Sequence, residues 1–226
     1  MSWLSLYFDV KDKNIFVLGT GEVATRRAIR FLDKGANLVL AGDKLNNLLV
    51  EKGAKLIKIY TNLYVFDEDT QIKYMESNKK LIKREVEKAD FIIIATGDYE
   101  LADYTSKISQ GKLLNRADKT DDGNIIVPTS FYIGDVEFSI FTGGKSPLMA
   151  KKLRKKIQSI ITDDEILEIR IQDYARKKLK NIVENPKRRR EILYEILDDV
   201  NIKEAIKNKD FDKIEVLVDK LIKDKT

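Results

Sequence analysis

The chain has 226 residues, 43% of them hydrophobic and 35% charged, with 42 Lys/Arg against 37 Asp/Glu. That length and balance suit a soluble globular protein made of one large domain, or of a nucleotide-binding domain with a helical appendage. There is no Cys and no His, which excludes disulfides, thiolate metal sites, cysteine-ligated clusters, a cysteine nucleophile and an imidazole base.

Acid–base chemistry therefore falls to Asp, Glu, Lys, Tyr, Ser, Thr or the backbone, and no resident metal is expected. No run of about 18 apolar residues occurs, so no membrane span is expected. The start, MSWLSLYFDVKDKN, lacks a cationic leader followed by a long apolar stretch, which points to a cytoplasmic protein. The net charge of +5 is unevenly placed: Lys145 to Arg190 holds 15 Lys/Arg against 6 Asp/Glu. Such a segment suits nucleic acid or a small, highly anionic substrate, although scattered Lys/Arg are more often solvated helix faces.

In chain order, Ile15 to Leu18 is a continuous apolar run, as in a strand buried on both faces of a parallel sheet. It ends in Gly19-Thr20-Gly21-Glu22-Val23-Ala24, a G-x-G-x-x-A turn, and a helix follows with Ala24, Ala28, Phe31 and Leu32 on its apolar face. Gly19 permits the tight turn and Gly21 lets the backbone approach a pyrophosphate. Ala24 keeps the helix near the sheet, and the helix N-terminus offers free N–H groups to the anion. Leu38 to Ala41 is the second strand. Asp43, 22 residues after Gly21, is placed to accept from ribose hydroxyls and to repel a 2′-phosphate, which favours NAD over NADP.

Lys55 to Ile59 and Asp90 to Ala95 read as further strands. Residues 60 to 89 between them are charged, partly helical and without a readable role. Thr96 and Gly97 sit at a strand's carboxyl end, where cofactors lie in such sheets. A helix through Leu101 and Ile108 leads to a fifth strand at Lys112 to Asn115, and then to the polar stretch NRADKTDDG. Asp121 and Asp122 resemble turn residues. Asp118, just beyond the strand, is the carboxylate best placed to face a nicotinamide.

From 124 the pattern changes. Asn124 to Pro128 and Asp135 to Ile140 read as two antiparallel strands either side of Gly134. Ser146-Pro147 makes an N-cap and N1 pair opening a helix. With Lys145 before it and Lys151, Lys152 and Arg154 on its first turns, this is a second candidate anion site. Thr162 to Glu165 is a capping box, and helical patterns run over about 165 to 183, 187 to 200 and 210 to 223. The architecture expected is a Rossmann-like parallel α/β domain over 1–117, a strand-rich dimerisation segment over 118–145 and an α-helical domain over 146–226.

Together, LYFDVKDKNIFVLGTGEVATRRAIRFLDKGA, IIIATGD, NRADKTDDGNIIVPTS and FSIFTGGKSPLMAKKLR resemble the precorrin-2 dehydrogenase/sirohydrochlorin ferrochelatase family, the siroheme-synthase N-terminal type, over roughly residues 4 to 160. The resemblance implies oxidation of precorrin-2 to sirohydrochlorin with NAD⁺, which many members follow by inserting Fe²⁺ as a second substrate. It also implies a homodimer acting on an anionic tetrapyrrole, with no nucleic-acid partner. The family's catalytic aspartate matches Asp118. Its dinucleotide positions match Gly19, Gly21, Glu22, Val23, Asp43, Lys44 and Thr96. Its substrate contacts match Asn115, Thr142, Gly143, Lys145, Ser146 and Lys152. The rival from another class is an NAD(H)-sensing Rossmann module with a basic helical tail, which predicts cofactor binding without turnover.

Overall fold

The computed structural model describes residues 3–61 and 63–226. The chain divides into two compact units, the first ending at Val127 and the second running from Pro128 to Thr226.

The first unit is built on a parallel sheet of five strands, β1 (Asn14–Leu18), β2 (Asn37–Gly42), β3 (Lys55–Lys58), β4 (Phe91–Ile94) and β5 (Leu113–Arg116), in the order β3-β2-β1-β4-β5. Chain order reverses between β1 and β4, so this fold has its switch point there, the place where open α/β sheets take their ligands. Helices α1 (Glu22–Leu32) and α2 (Asn47–Glu51) follow β1 and β2; α3 (Glu68–Lys88) and α4 (Tyr99–Ile108) follow β3 and β4. The central strands are apolar over Ile15–Leu18, Leu38–Ala41 and Phe91–Ile94 because both of their faces are covered, whereas the edge strand β3 (KLIK) is largely exposed. Ile15, Val17, Leu38 and Leu40 pack with Ala24, Ala28 and Phe31 of α1. Phe16, Leu18, Ile92 and Ile94 pack with Ile82 and Val86 of α3 and Leu101 of α4.

Two readings of the sequence are corrected here. The charged stretch 60–89, read as partly helical and without a role, does have one: its 21-residue α3 is the crossover helix from β3 to β4. Its mostly polar surface hides a narrow apolar stripe, and Asn78 clamps the chain leaving β3, accepting from Tyr60 N at 2.9 Å and donating to Tyr60 O at 2.7 Å. Residues 124–128 form no strand. Ile125 and Val127 instead pack on the first core, and the Asn124 and Ile125 N–H groups both donate to the Leu114 carbonyl, at 2.9 and 3.0 Å. The β-branched pattern marks burial there, not pairing.

In the second unit the hairpin is displaced accordingly, to β6 (Thr129–Ile133) and β7 (Val136–Ile140), joined at Gly134-Asp135. Helices α5 (Pro147–Ile160), α6 (Asp163–Ile182), α7 (Pro186–Asp198), α8 (Val200–Lys207) and α9 (Phe211–Lys225) complete it. The short α8 escapes the periodicity reading because Asp199 both ends α7 and caps α8, accepting from Ile202 N at 2.9 Å. Ile171, Leu179, Ile192, Ile196, Ile206 and Val218 form the unit's core. Along α6, Ile166 and Ala175 are buried while Ile182 is exposed.

Candidate active site

The register aligns Leu18, Ile94 and Arg116 across three neighbouring parallel strands. The glycine turn after β1, Thr96 after β4 and Asp118 after β5 therefore all leave the same edge of the sheet. They span two strand spacings, roughly 10 Å.

At the first of these, Gly19 has φ +115°, and a Cβ there would stand 2.2 Å from the Ala95 carbonyl oxygen. The Gly19 N–H is tied to Ala41 O at 2.8 Å. Gly21 is different. It is the N-cap of α1 with φ −72°, and a Cβ there would meet nothing within 4 Å. It opens onto a groove of about 920 Å³ lined by Thr20, Gly21, Glu22, Lys44, Asn46 and their neighbours. Every α-helix from α2 to α9 has a side-chain oxygen on its first-turn N–H groups, while α1 has none. Its donors thus face the groove without an internal acceptor from the cap, which is the arrangement a phosphate needs. Val23 lies in this first turn, and Asp43 is exposed at the end of β2.

A second groove of about 920 Å³ lies beyond β4, lined by Thr96, Gly97 and Asp98 together with Tyr64, Met75 and Lys79. Thr96 Oγ1 accepts from Asp98 N at 3.1 Å, and Asp98 caps α4 through Leu101 N at 3.0 Å. Asp118 lines neither groove.

The polar stretch after β5 folds back on its own strand. Asn124 accepts from Leu114 N and donates to Lys112 O, each at 2.7 Å, so its amide imitates a further strand residue. Gly123 allows this approach: a Cβ there would stand 2.8 Å from Leu114 O. Asn115 is buried. It receives a short hydrogen bond from Arg27 of α1 and donates to Ile125 O at 2.8 Å. Its amide thus ties α1, β5 and the returning chain together. Arg27 is itself half-buried, and burial, with Arg26 and Arg30 nearby, lowers its proton affinity.

Arg116 closes the strand with 1% of its side chain exposed, and three carboxylates surround it. Nη2 and Nε donate to Asp118 at 2.6 and 3.1 Å; Nη1 donates to Asp103 of α4 at 2.7 Å and to Asp122 at 3.1 Å. Lys119 reaches Asp103 at 3.3 Å. The hydrogen bonds from Arg116 hold the Asp118 carboxyl below the usual carboxylate range, against the opposing effect of burial. Asp103 is lowered by Arg116 and then by Lys119, and the guanidinium is raised, chiefly by Asp118. Asp122, in the 3₁₀ turn Thr120–Asp122, is thus more than a turn residue.

The other expected contacts belong to the second unit and gather at the start of α5. Gly143 and Gly144 take φ +68° and +73°. Thr142 Oγ1 accepts from Ser146 N at 3.3 Å and donates to Ser146 O at 3.2 Å, and Ser146 caps α5 through Met149 N at 3.2 Å. Lys145 and Lys152 are exposed.

Residues 6–129 match a family model described as "Putative NAD(P)-binding". A chain of Methanocaldococcus jannaschii named "Putative precorrin-2 dehydrogenase" is 30% identical over 206 residues, which is 90% of this chain and 94% of that one. The chain belongs to the precorrin-2 dehydrogenase family. A second member, the precorrin-2 dehydrogenase of Priestia megaterium, is 26% identical over 92% of this chain and 95% of its own. The solved structure titled "SirC, precorrin-2 dehydrogenase" superposes with a TM-score of 0.68 at 23% identity, covering 92% of this chain and 98% of that one, so the fold is shared. Among the described residues, no helix is long and apolar enough to cross a membrane.

The residues fit the dinucleotide that the family's domain takes. A Cβ at Gly21 would project into the groove, and α1 keeps its donors free of a side-chain cap. Arg116, Arg27, Asp103 and Asn124 were not singled out by the sequence as site-shaping residues. The signal available was an arginine closing a buried strand, followed within six residues by three aspartates.

Proposed function

We propose that this protein oxidises precorrin-2 to sirohydrochlorin with NAD⁺, on the route to siroheme, as a cytoplasmic homodimer. The observation that carries the reading is the alignment of the glycine turn, Thr96 and Asp118 beyond one edge of β1, β4 and β5. Gly19, Gly21 and the first-turn donors of α1, with Glu22 and Val23, would hold the pyrophosphate. Asp43 and Lys44 would take the adenosine ribose, and Thr96 would line the crevice. Bound there, the nicotinamide supplies a hydride acceptor.

Atoms balance as follows: one C–H bond of the tetrapyrrole is lost with its electron pair, and a second hydrogen leaves as a proton. Asp118, ionised and fixed, receives that proton. Asn115 holds the strand end that carries Asp118. Thr142, Gly143, Lys145, Ser146 and Lys152 answer the substrate's carboxylates, with charge supplied by the two lysines. In the second unit, Phe141, Leu148, Met149 and Leu153 are exposed, which supports a partner subunit on that face.

The test is anaerobic incubation with precorrin-2 and NAD⁺, following sirohydrochlorin absorbance before and after Fe²⁺. Acceleration of the second step assigns iron insertion to the same chain; its absence leaves a dehydrogenase alone. Asp118→Ala is expected to lose about 10²- to 10⁴-fold in turnover with NAD⁺ affinity nearly unchanged. NAD⁺ binding by the native protein without any oxidation would overturn the reading in favour of a sensing module.

A further inference from the structure

We propose that Arg116 is the positioning residue of the reaction: its buried guanidinium fixes Asp118 in one orientation and in its charged form, while Asp103 and Asp122 share the same cation and temper that hold. This rests on the reading of Asp118 as the proton acceptor.

The geometry is unequal in a telling way. Asp118 alone takes two nitrogens of the fork, Nη2 at 2.6 Å and Nε at 3.1 Å, and only 19% of its side chain is exposed. Asp103 and Asp122 share Nη1, and both are about half exposed. A bidentate grip fixes direction as well as charge. The other charged group in the cluster, Lys119, pairs with Asp103 rather than with Asp118. Three carboxylates therefore face two cations, and the surplus is negative.

A carboxylate gripped in this way is a weak base. Weakness suffices here, because departure of the hydride's electron pair leaves the macrocycle electron-poor and its remaining proton acidic. What the reaction requires is that the acceptor be ionised and correctly aimed at every turnover. Without Arg116, Asp118 would face two aspartates from α4 and the 3₁₀ turn, and like charges raise a carboxyl's affinity for its proton.

The experiment compares wild type, Arg116→Lys, Arg116→Met and Asp103→Asn for NAD⁺-dependent oxidation between pH 5 and 8. Carboxyl ¹³C titration of Asp118 is followed in the same proteins, its signal assigned with Asp118→Asn. The wild type is expected to show no acid limb from Asp118 in this window. In Arg116→Met the carboxyl midpoint, with the titration carried down to about pH 2, should rise by about one to two pH units and bring an acid limb toward the low end of the activity window. Arg116→Lys should fall between, keeping charge without the fork, and Asp103→Asn should move the midpoint downward. A variant whose rate falls by one factor at every pH, with an unmoved midpoint, would overturn the proposal in favour of a purely structural arginine. If Arg116→Met does not fold, the Arg116→Lys and Asp103→Asn midpoints decide the matter by the same signs. Full activity in Asp118→Asn would defeat the proton-acceptor reading, and the titration would still report separately whether Arg116 governs the carboxyl.

Discussion

The turn after β1 and the loop after β5 leave the same edge of one sheet by opposite means. The glycine turn is built from backbone: Gly19 lies where a Cβ would meet Ala95 O, and Gly21 lies against open groove. The loop after β5 is built from side chains supplied by several elements, with Arg116 drawing in Asp103, Asp118 and Asp122 and Asn124 replacing a missing strand. A backbone device is local in sequence. A charge cluster exists only once α4 and β5 are side by side.

The sharpest way to break that comparison is to fill the two glycines separately. Gly19→Val should destabilise the first unit by about 3 kcal/mol or more through strain and overlap, seen as a large drop in denaturation midpoint. Gly21→Val should fold as the wild type does and lose at least about tenfold in NAD⁺ affinity, measured by titration. If both variants lost stability equally, Gly21 would be a structural turn with no ligand role.

Asn124→Ala tests the other side. It removes the acceptor of Leu114 N and the donor to Lys112 O, which should cost about 1–3 kcal/mol. It should also lower turnover more than NAD⁺ affinity, since the loop carries Asp118. A smaller effect is expected from acid. Asp118 is held low in the folded protein, so its contribution to stability is complete above its unfolded value of about 3.9 and is lost as pH falls through the folded value. Denaturant midpoints between pH 5 and 3 should decline less steeply in Asp118→Asn. The smallest effect belongs to the second unit: Thr162→Ala removes the capping box of α6 and should cost about 1 kcal/mol without altering NAD⁺ binding.

The same division governs what could be read beforehand. The parallel α/β core was legible because β1 and β4 are unbroken apolar runs, and the helix starts at Ser146 and Thr162 because caps depend on neighbours three residues away. The 60–89 segment was opaque: α3 buries little more than Asn78, Ile82 and Val86 in 21 residues, too sparse a stripe to mark a crossover helix. Ile125 and Val127 misled in the other direction, since their burial comes from packing on the first core and their backbone follows a loop.

By itself, then, the sequence determined the strand–glycine turn–helix with its uncapped N-terminus, the chemistry available without Cys or His, and the position of Asp118 beyond a strand. Tertiary structure decided which charges meet. Asp103 and Arg116 are 13 residues apart, and Arg27 and Asn115 are 88. Their pairing depends on the order in which strands and helices assemble, and no local spacing encodes that order.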